Sequence, residues 1–410
     1  MQMRGVGRRL AVAGLLAAWV GTGGAVAQTP IRIGAVLQLT GDLAWYGQEI
    51  GRGYELGAKY VNAHGGIGGR LIELMRVDVP SPTAALAEIG RLQEAGVKIV
   101  IGTGSSAVAL AATPAVERNG MLWWESNALD NGITARRLKH VFQFAPNNDS
   151  FSDASVALFE TLAPQMLGKA LKDISVGLIY ENSAYGTSQS KAQKARLEAL
   201  GVKLVSDQSY DRKSSDLSPV VLQLREAAPD VLIETGYQDD IVLFWRQAKE
   251  LGYLPKIAIS SGAAATQDFA NALGRGGVDG IIGYNYPFHE MSEAGAPGAA
   301  SYAAVYQAAY GNPPPSGHPL AGYAAMLALA DVMRAAGGDD PDAVAKAAHA
   351  MDKPLGSYPN GAGMKFTEWG RNERAPVSGF QWQHGKMVTI WPASVANGKA
   401  MGPLVPWDKR

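Results

Sequence analysis

Apolar runs of strand length alternate with helix-like segments in two successive series along this chain. The first series contains predicted strands at 31–37, 71–77, 97–101 and 121–124, separated by helices at 47–63, 83–95 and 107–119. The second series contains predicted strands at 174–180, 202–210, 230–235 and 257–260, separated by helices at 187–200, 217–226 and 238–251. Strands and helices that alternate across short turns favour a parallel sheet with right-handed crossovers. The sequence therefore predicts an α/β fold of two similar lobes, each a parallel sheet flanked by helices.

The rest of the chain adds a few further elements to this pattern. A strand is predicted at 278–284, and helices at 299–310 and 320–336 are separated by a loop with three consecutive prolines. Two alternating apolar runs, 379–384 and 386–391, flank Gly385 and predict a hairpin. The polar, proline-containing segment 141–150 is expected to link the two series.

A turn of small residues, Gly102-Thr103-Gly104-Ser105-Ser106, joins the third predicted strand to its helix. Such a turn leaves N–H groups uncovered at a helix N-terminus, where anions bind and where open α/β sheets take ligands. With Ala107 the turn also fits G-x-G-x-x-A, and Glu125 stands about where a ribose-binding acid would be. This pattern follows the third strand rather than the first, which disfavours an exported dinucleotide-dependent oxidoreductase. Serines that merely cap the helix are the structural alternative.

The first 27 residues have the pattern of a secretory signal. Arg4, Arg8 and Arg9 precede the apolar run 10–20, and Ala25-Val26-Ala27 supplies small residues for cleavage. We expect cleavage after Ala27, which N-terminal sequencing of the exported protein would check; an uncleaved membrane anchor is the alternative. Removing this segment leaves 34 basic and 37 acidic residues and no basic block, so a nucleic-acid partner is not expected. With no cysteine in the chain, a disulfide framework is excluded.

Five segments, in order and at fitting spacings, carry a family resemblance. They are IRIGAVLQLTGDLAWYGQEIGRGYELGAKYVNAHGGIGGR, KIVIGTGSS, GLIYENSAYGTS, ETGYQDDIVLFWRQAKELG and GFQWQHGK. Across nearly all of its mature length the chain resembles the periplasmic solute-binding proteins of branched-chain amino acid ABC transporters, the leucine-binding type. That resemblance implies a type I periplasmic binding fold, with two lobes joined by three hinge crossovers that close on a ligand. It also implies a periplasmic monomer that delivers its ligand to a membrane permease with ATPase subunits.

The resemblance also implies where the lobes divide. One lobe is expected to comprise 28–147 and 282–370, and the other 148–281 and 371–410.

No catalytic residue, cofactor or metal is expected. The six histidines show no metal-ligand spacing, and neither a Ser-His-acid arrangement nor G-x-S-x-G occurs.

Aromatic side chains are the first group of expected ligand contacts. Tyr46, Tyr185 and Tyr237 fit the family's three pocket aromatics, and each lies in a loop at the carboxyl end of a predicted strand. Their rings combine apolar area with a polar tip, which suits a wall that grips an apolar ligand. Trp45 stands where relatives carry a polar residue, and either lines the pocket or packs outward at its rim. We expect Tyr46 and Tyr185 to approach the ligand from opposite lobes.

Polar residues at the ends of strands are the second group. By resemblance, Ser106 offers its hydroxyl and N–H to a ligand carboxylate, with Ser105 beside it. Glu125, Asn127 and Ala128 match a segment whose backbone holds an amino-acid head group in relatives. A carboxylate that follows an apolar strand into a cleft is expected to be functional, since burial of an unpaired charge is costly. A hydrogen bond or ion pair internal to the lobe is the alternative.

Two departures from the family concern the ligand's α-amino group. The acidic residue with which leucine-binding relatives hold the ammonium corresponds here to Gly262, and their threonine corresponds to Leu129. An ammonium desolvated without an anion is strongly disfavoured. The sequence therefore predicts an apolar or aromatic ligand with a carboxylate but no α-amino group in the usual place. As an alternative, Glu125 could bind a ligand ammonium in place of the missing acidic residue.

The alternative function is that of a ligand sensor for a membrane receptor.

Overall fold

The computed structural model describes residues 1–2 and 29–409 of the 410-residue chain. The predicted signal segment, apart from its first two residues, and its cleavage site lie outside the described residues. The strands of the described part form two sheets. They are β1 (Ile31–Leu37), β2 (Ile72–Asp78), β3 (Ile99–Gly102), β4 (Leu122–Glu125), β5 (Val141–Gln143), β6 (Ser175–Glu181), β7 (Lys203–Tyr210), β8 (Val231–Thr235), β9 (Ile257–Ser260), β10 (Ile282–Asn285), β11 (Ser378–Gln383) and β12 (Lys386–Trp391).

Helices separate the strands and cover both sheets. They are α1 (Ala44–Ala63), α2 (Pro82–Glu94), α3 (Ser106–Arg118), α4 (Gly132–Ala135), α5 (Asn148–Leu167), α6 (Ala184–Ala199), α7 (Ser218–Ala227), α8 (Gln238–Glu250), α9 (Gln267–Leu273), α10 (Arg275–Val278), α11 (Ala299–Tyr310), α12 (His318–Ala336) and α13 (Pro341–Ala350). Short 3₁₀ turns lie at Leu171–Asp173, Gly262–Ala265 and Trp407–Lys409.

The first sheet has the strand order β2-β1-β3-β4-β5, and every neighbouring pair in it is parallel. The second has the order β12-β11-β10-β9-β8-β6-β7, in which β11 runs antiparallel to both of its neighbours. The predicted α/β class of two parallel-dominated sheets flanked by helices is confirmed. The hairpin predicted around Gly385 is also present, as β11 and β12.

The inner strands of the first sheet are buried on both faces, which explains why they are nearly continuous apolar runs, whereas the edge strand β2 is partly exposed. Ile101 and Trp124 belong to a core that includes residues of α1, α12 and α13. Val100 and Trp123, each one position earlier, belong to a second core with residues of α2 and α3. Successive side chains along a strand point to opposite faces, so both layers draw on the same short strands.

The chain passes between the two sheets three times: after β5, after β10 and before β11. β10 pairs with β9 and β11 in the second sheet, so the second passage follows Asn285 rather than residue 282, where the lobe boundary was predicted. We therefore propose the lobe boundary after Asn285. Segment 141–150, predicted as a link, contains β5 and the start of α5. Its polar residues include the cap of that helix, because the Asn147 side chain accepts from the Ser150 N–H at 3.1 Å.

Within the described residues, no single helix has the length and apolar character to cross a membrane. The pair α12 and α13 meets those criteria only when taken together, and it is bent by 106°. Most of α12 is buried inside the protein.

An ion triad stabilises the amino end of the second sheet. The buried Asp230 carboxylate accepts from Lys169 Nζ at 2.7 Å and from Lys256 Nζ at 2.6 Å. Burial alone raises the pKa of the Asp230 carboxyl, but the hydrogen bonds from the two lysines outweigh it and hold the pKa well below its ordinary range. A carboxyl with a lowered pKa stabilises the fold above its unfolded-state pKa of about 4, and this stabilisation is lost as the pH falls.

Asp230→Asn should therefore lower the free energy of unfolding by about 2 kcal/mol near pH 7, the scale of lost charge-assisted hydrogen bonds. The difference from wild type should shrink below about pH 4. Urea denaturation at several pH values measures both effects. Asp207→Asn is a matched control, because Asp207 pairs with Lys194 in a more exposed setting and should cost less than about 1 kcal/mol. Equal losses for the two variants, or a loss independent of pH, would contradict this account.

Candidate functional site

A cavity lies between the carboxyl ends of the two sheets. The space between its lining atoms, including the part open to solvent, is about 410 Å³. The residues that line it mostly follow strands β3, β4, β8, β9 and β10, the edge at which open α/β sheets bind ligands. They are Tyr46, Gly104, Ser106, Asn127, Ala128, Leu129, Phe151, Tyr185, Gly236, Tyr237, Gly262, Ala263, Asn285, Tyr286 and His318.

The wall of the cavity is largely aromatic. The ring of Tyr237 lies with its centroid 5.6 Å from that of Tyr46 and 5.3 Å from that of Tyr185. The His318 ring lies 5.0 Å from Tyr46 and 5.2 Å from Tyr286. These edge-to-face and tilted contacts make a rigid apolar surface suited to a flat or branched apolar ligand.

Hydrogen bonds across the cavity hold the two sides together. Tyr46, in α1 beside the first sheet, accepts the Gln238 backbone N–H at 3.0 Å through its hydroxyl oxygen. Tyr286, which follows β10 of the second sheet, donates its hydroxyl proton to the Asn127 carbonyl oxygen. At the rim, Arg212 pairs with Asp42 at 2.7 Å. The structure is therefore in a closed arrangement, with Tyr46 and Tyr185 on opposite sides of the cavity; their approach to a ligand stays a prediction.

Ser106 supplies a hydrogen-bond donor at the polar end of the cavity. Its Oγ accepts the backbone N–H groups of Leu129 at 3.2 Å and Asp130 at 3.1 Å, which leaves the hydroxyl proton free to donate. Ser106 is also the first residue of α3, so its own N–H has no intrahelical acceptor. Two donors and the positive end of a helix therefore converge where an anion would be stabilised.

Ser105 and Trp45 lie next to the cavity without lining it. Ser105 is the N-cap of α3, and its side chain accepts the Val108 N–H at 3.4 Å, which is the capping role considered as its alternative. Trp45 packs edge-on against Tyr46 at 4.9 Å and lines the neighbouring clefts, which places it at the rim.

Glu125 does not face the cavity, contrary to the expectation of a ligand contact. It is fully buried, and its Oε1 accepts four backbone N–H groups, at 2.7–3.0 Å, from Thr103, Ser126, Asn127 and Ala128. Its Oε2 accepts the Trp123 indole N–H at 3.0 Å. Burial raises the pKa of Glu125 and hydrogen bonds from these groups lower it. Burial is the larger effect, and the resulting pKa is about 7. Glu125 therefore fixes the loop 126–128 by internal hydrogen bonds, and it is not free to bind a ribose or an ammonium.

The same bonds change the expected roles of Asn127 and Ala128. Both residues line the cavity, but their backbone N–H groups are bonded to Glu125. Their carbonyl oxygens accept from Tyr286 and from Gln143 Nε2. The backbone N–H and carbonyl groups of these two residues therefore already form hydrogen bonds within the protein. Of the polar side chains in this loop, that of Asn127 belongs to a residue that lines the cavity.

Gly262 lines the cavity beside Asn285. A Cβ at this position would lie 2.8 Å from Asn285 Oδ1, so a larger side chain would require Asn285 to move. Among the described residues that line the cavity, none is Asp, Glu, Lys or Arg. The cavity is thus uncharged apart from the partial positive charge at the start of α3.

Several lining residues were not predicted from the sequence, above all Tyr286 and His318. Tyr286 directly follows β10, and this position after a buried strand is the sequence feature that could have identified it as a cavity residue. His318 begins α12 after the proline loop, and its Nδ1 forms a 3.1 Å hydrogen bond with the Ser316 hydroxyl. Burial lowers the pKa of His318 to about 3, so the imidazole is neutral at physiological pH. No group of metal-ligating side chains occurs among the described residues.

Comparisons with known proteins agree on one family. The family model for periplasmic binding proteins matches residues 30–386. A Brucella abortus relative named Leu/Ile/Val-binding protein homolog 8 is 37% identical over 372 residues, which cover 90% of this chain and 92% of the relative.

Solved structures share the fold. The Streptococcus pneumoniae branched-chain amino acid transporter substrate binding protein, in complex with isoleucine, has a TM-score of 0.75 and 18% identity, covering 88% of this chain and 100% of its own. A solute binding protein of an ABC transporter from R. palustris, in complex with benzoate, has a TM-score of 0.74 and 21% identity. The match covers 91% of this chain and 99% of the R. palustris chain.

Proposed function

We propose that this chain, which belongs to the periplasmic binding protein family, captures a small acid with an apolar body and no α-amino group. The family is that of the substrate-binding proteins of branched-chain amino acid ABC transporters. In this proposal the protein works in the periplasm as a monomer and passes its ligand to a membrane permease with ATPase subunits. The ligand occupies the closed cavity between the two sheets.

The absence of any acidic side chain from the described cavity lining carries this proposal. An ammonium that leaves water needs an anion or several acceptors, and its burial without them costs several kcal/mol. Glu125 cannot compensate, because both of its carboxylate oxygens are already bonded within the protein. A carboxylate, in contrast, finds the Ser106 hydroxyl and the first N–H groups of α3.

A branched-chain amino acid is the second candidate ligand, favoured by the name of the Brucella relative. Only carbonyl and amide oxygens could then hold its ammonium. An aliphatic acid such as 4-methylpentanoate has the skeleton of leucine without the amino group, so the pair separates the two candidates. Phenylpropanoate and phenylalanine form the matching aromatic pair.

Isothermal titration calorimetry with these pairs tests the proposal. We expect the acid of at least one pair to bind at least tenfold more tightly than its amino acid, equivalent to about 1.4 kcal/mol. Ser106→Ala should weaken binding of that acid by about 1.5–3 kcal/mol, the scale of a hydrogen bond to a charged group. Ser105→Ala is the control, because this neighbouring hydroxyl caps α3 without lining the cavity. Tighter binding of the amino acid than of the matching acid in both pairs would overturn the proposal.

A ligand sensor for a membrane receptor would use the same cavity. Uptake of the labelled acid by cells that lack this protein distinguishes the two roles. Loss of uptake supports transport, whereas normal uptake with a lost response to the acid supports sensing.

A further inference from the structure

One cavity-lining residue carries a polar atom without a partner among the described residues. Asn127 is 5% exposed and lines the cavity, and among the described residues its side-chain Oδ1 accepts no hydrogen bond. An unpaired buried oxygen is costly, and most such atoms in folded proteins are bonded to protein, water or ligand.

The other end of this amide is bonded within the protein. Asn127 Nδ2 donates to Ser126 Oγ at 2.9 Å, and Ser126 Oγ shares a further hydrogen bond with the buried Tyr54 hydroxyl. The Asn127 backbone is held on both sides, by Glu125 at its N–H and by Tyr286 at its carbonyl. The side-chain Oδ1 is therefore left as an acceptor without a donor among the described residues.

The loop that carries this acceptor is bonded to the start of α3. The Leu129 N–H bonds to Ser106 Oγ at 3.2 Å, and Asn127 precedes Leu129 by two residues. Two residues of extended chain span at most about 7 Å, and Asn127 and Ser106 both line the cavity. Asn127 and Ser106 therefore present an acceptor and a donor pair to the same cavity.

We propose that the ligand is a 2-hydroxy acid, whose carboxylate accepts from Ser106 and whose adjacent hydroxyl donates to Asn127 Oδ1. This inference rests on the proposed function, because it takes the Ser106 end as the carboxylate site. A hydroxyl is the group that fits, since it donates without carrying a charge. A ketone would place a second acceptor against Oδ1. An ammonium would donate, but no acidic side chain lines the described cavity to balance its charge.

A series of ligands on one skeleton tests the inference with the full exported chain. The probes are 4-methylpentanoate, 2-hydroxy-4-methylpentanoate, 4-methyl-2-oxopentanoate and leucine, together with the corresponding phenylpropanoate series. Calorimetry should show the hydroxy acid binding about tenfold or more tightly than both the unsubstituted acid and the keto acid, the effect of one satisfied buried acceptor. In Asn127→Ala the ratio between hydroxy and unsubstituted acid should fall to about one.

The outcomes separate the two proposals. Equal binding of the hydroxy and unsubstituted acids overturns the inference and leaves the proposed function standing, and so does tighter binding of the keto acid. Binding of leucine or phenylalanine in preference to every acid overturns the proposed function and the inference with it. The wild-type series decides each case even if Asn127→Ala does not fold. If that variant folds, an undiminished ratio assigns the hydroxyl to another residue and overturns the inference.

Discussion

Replacing Gly53 with alanine should lower the free energy of unfolding by about 3 kcal/mol or more, the upper range for overpacking a tight contact. Gly53 lies where α1 crosses α12, and a Cβ there would stand 2.1 Å from the Pro319 carbonyl oxygen and 2.9 Å from the Tyr323 nitrogen. These are backbone atoms, so relief of the overlap requires the helices to separate. Because α12 begins with His318 at the cavity, ligand binding should weaken as well.

Gly90→Ala provides the matched control for this prediction. Gly90 lies inside α2, and a Cβ there would meet no atom within 4 Å. Alanine favours helix over glycine, so this variant should be unchanged or more stable by up to about 1 kcal/mol. Urea denaturation of both variants measures the contrast. If Gly53→Ala stays within about 1 kcal/mol of wild type, the described packing of α1 on α12 is wrong.

Truncation of either of two tyrosines should remove much of the ligand affinity. Tyr46 and Tyr185 are almost fully buried on opposite sides of the cavity, and both rings contact Tyr237. Tyr46→Ala or Tyr185→Ala should weaken binding by about 1–3 kcal/mol each, the scale of lost aromatic contact area. Tyr46→Ala also removes the acceptor for the Gln238 N–H, so it should disfavour closure.

Tyr60→Ala is the control, since this side chain is 47% exposed on α1 and does not line the cavity. Calorimetry with the tightest-binding acid measures all three variants, with circular dichroism to confirm folding. Wild-type affinity in both Tyr46→Ala and Tyr185→Ala would place the binding site elsewhere in the protein.

The sequence predicted the fold class because the buried strands of parallel sheets are nearly continuous apolar runs. The family resemblance added Tyr46, Ser106, Asn127 and Tyr185 as expected cavity residues, and each lies near a strand end or the start of a helix. These placements on the cavity wall agree with the structure; their contacts with a ligand remain predictions.

The direction of a side chain is harder to predict. Glu125 ends a strand beside the cavity, but its carboxylate turns inward to the N–H groups of its own loop, which no local pattern indicates. His318 and Tyr286 reach the cavity from segments distant in sequence, and their positions depend on how α12 and β10 pack. Helix α5 was missed because its polar start resembles a linker.

A crystal structure of the complex with the tightest-binding acid tests the central claim most directly. The claim predicts a carboxylate oxygen at about 2.6–3.2 Å from Ser106 Oγ, next to the first N–H groups of α3, with the apolar body against Tyr46, Tyr185 and Tyr237. A ligand whose carboxylate points away from Ser106, or one bound outside this cavity, would contradict it.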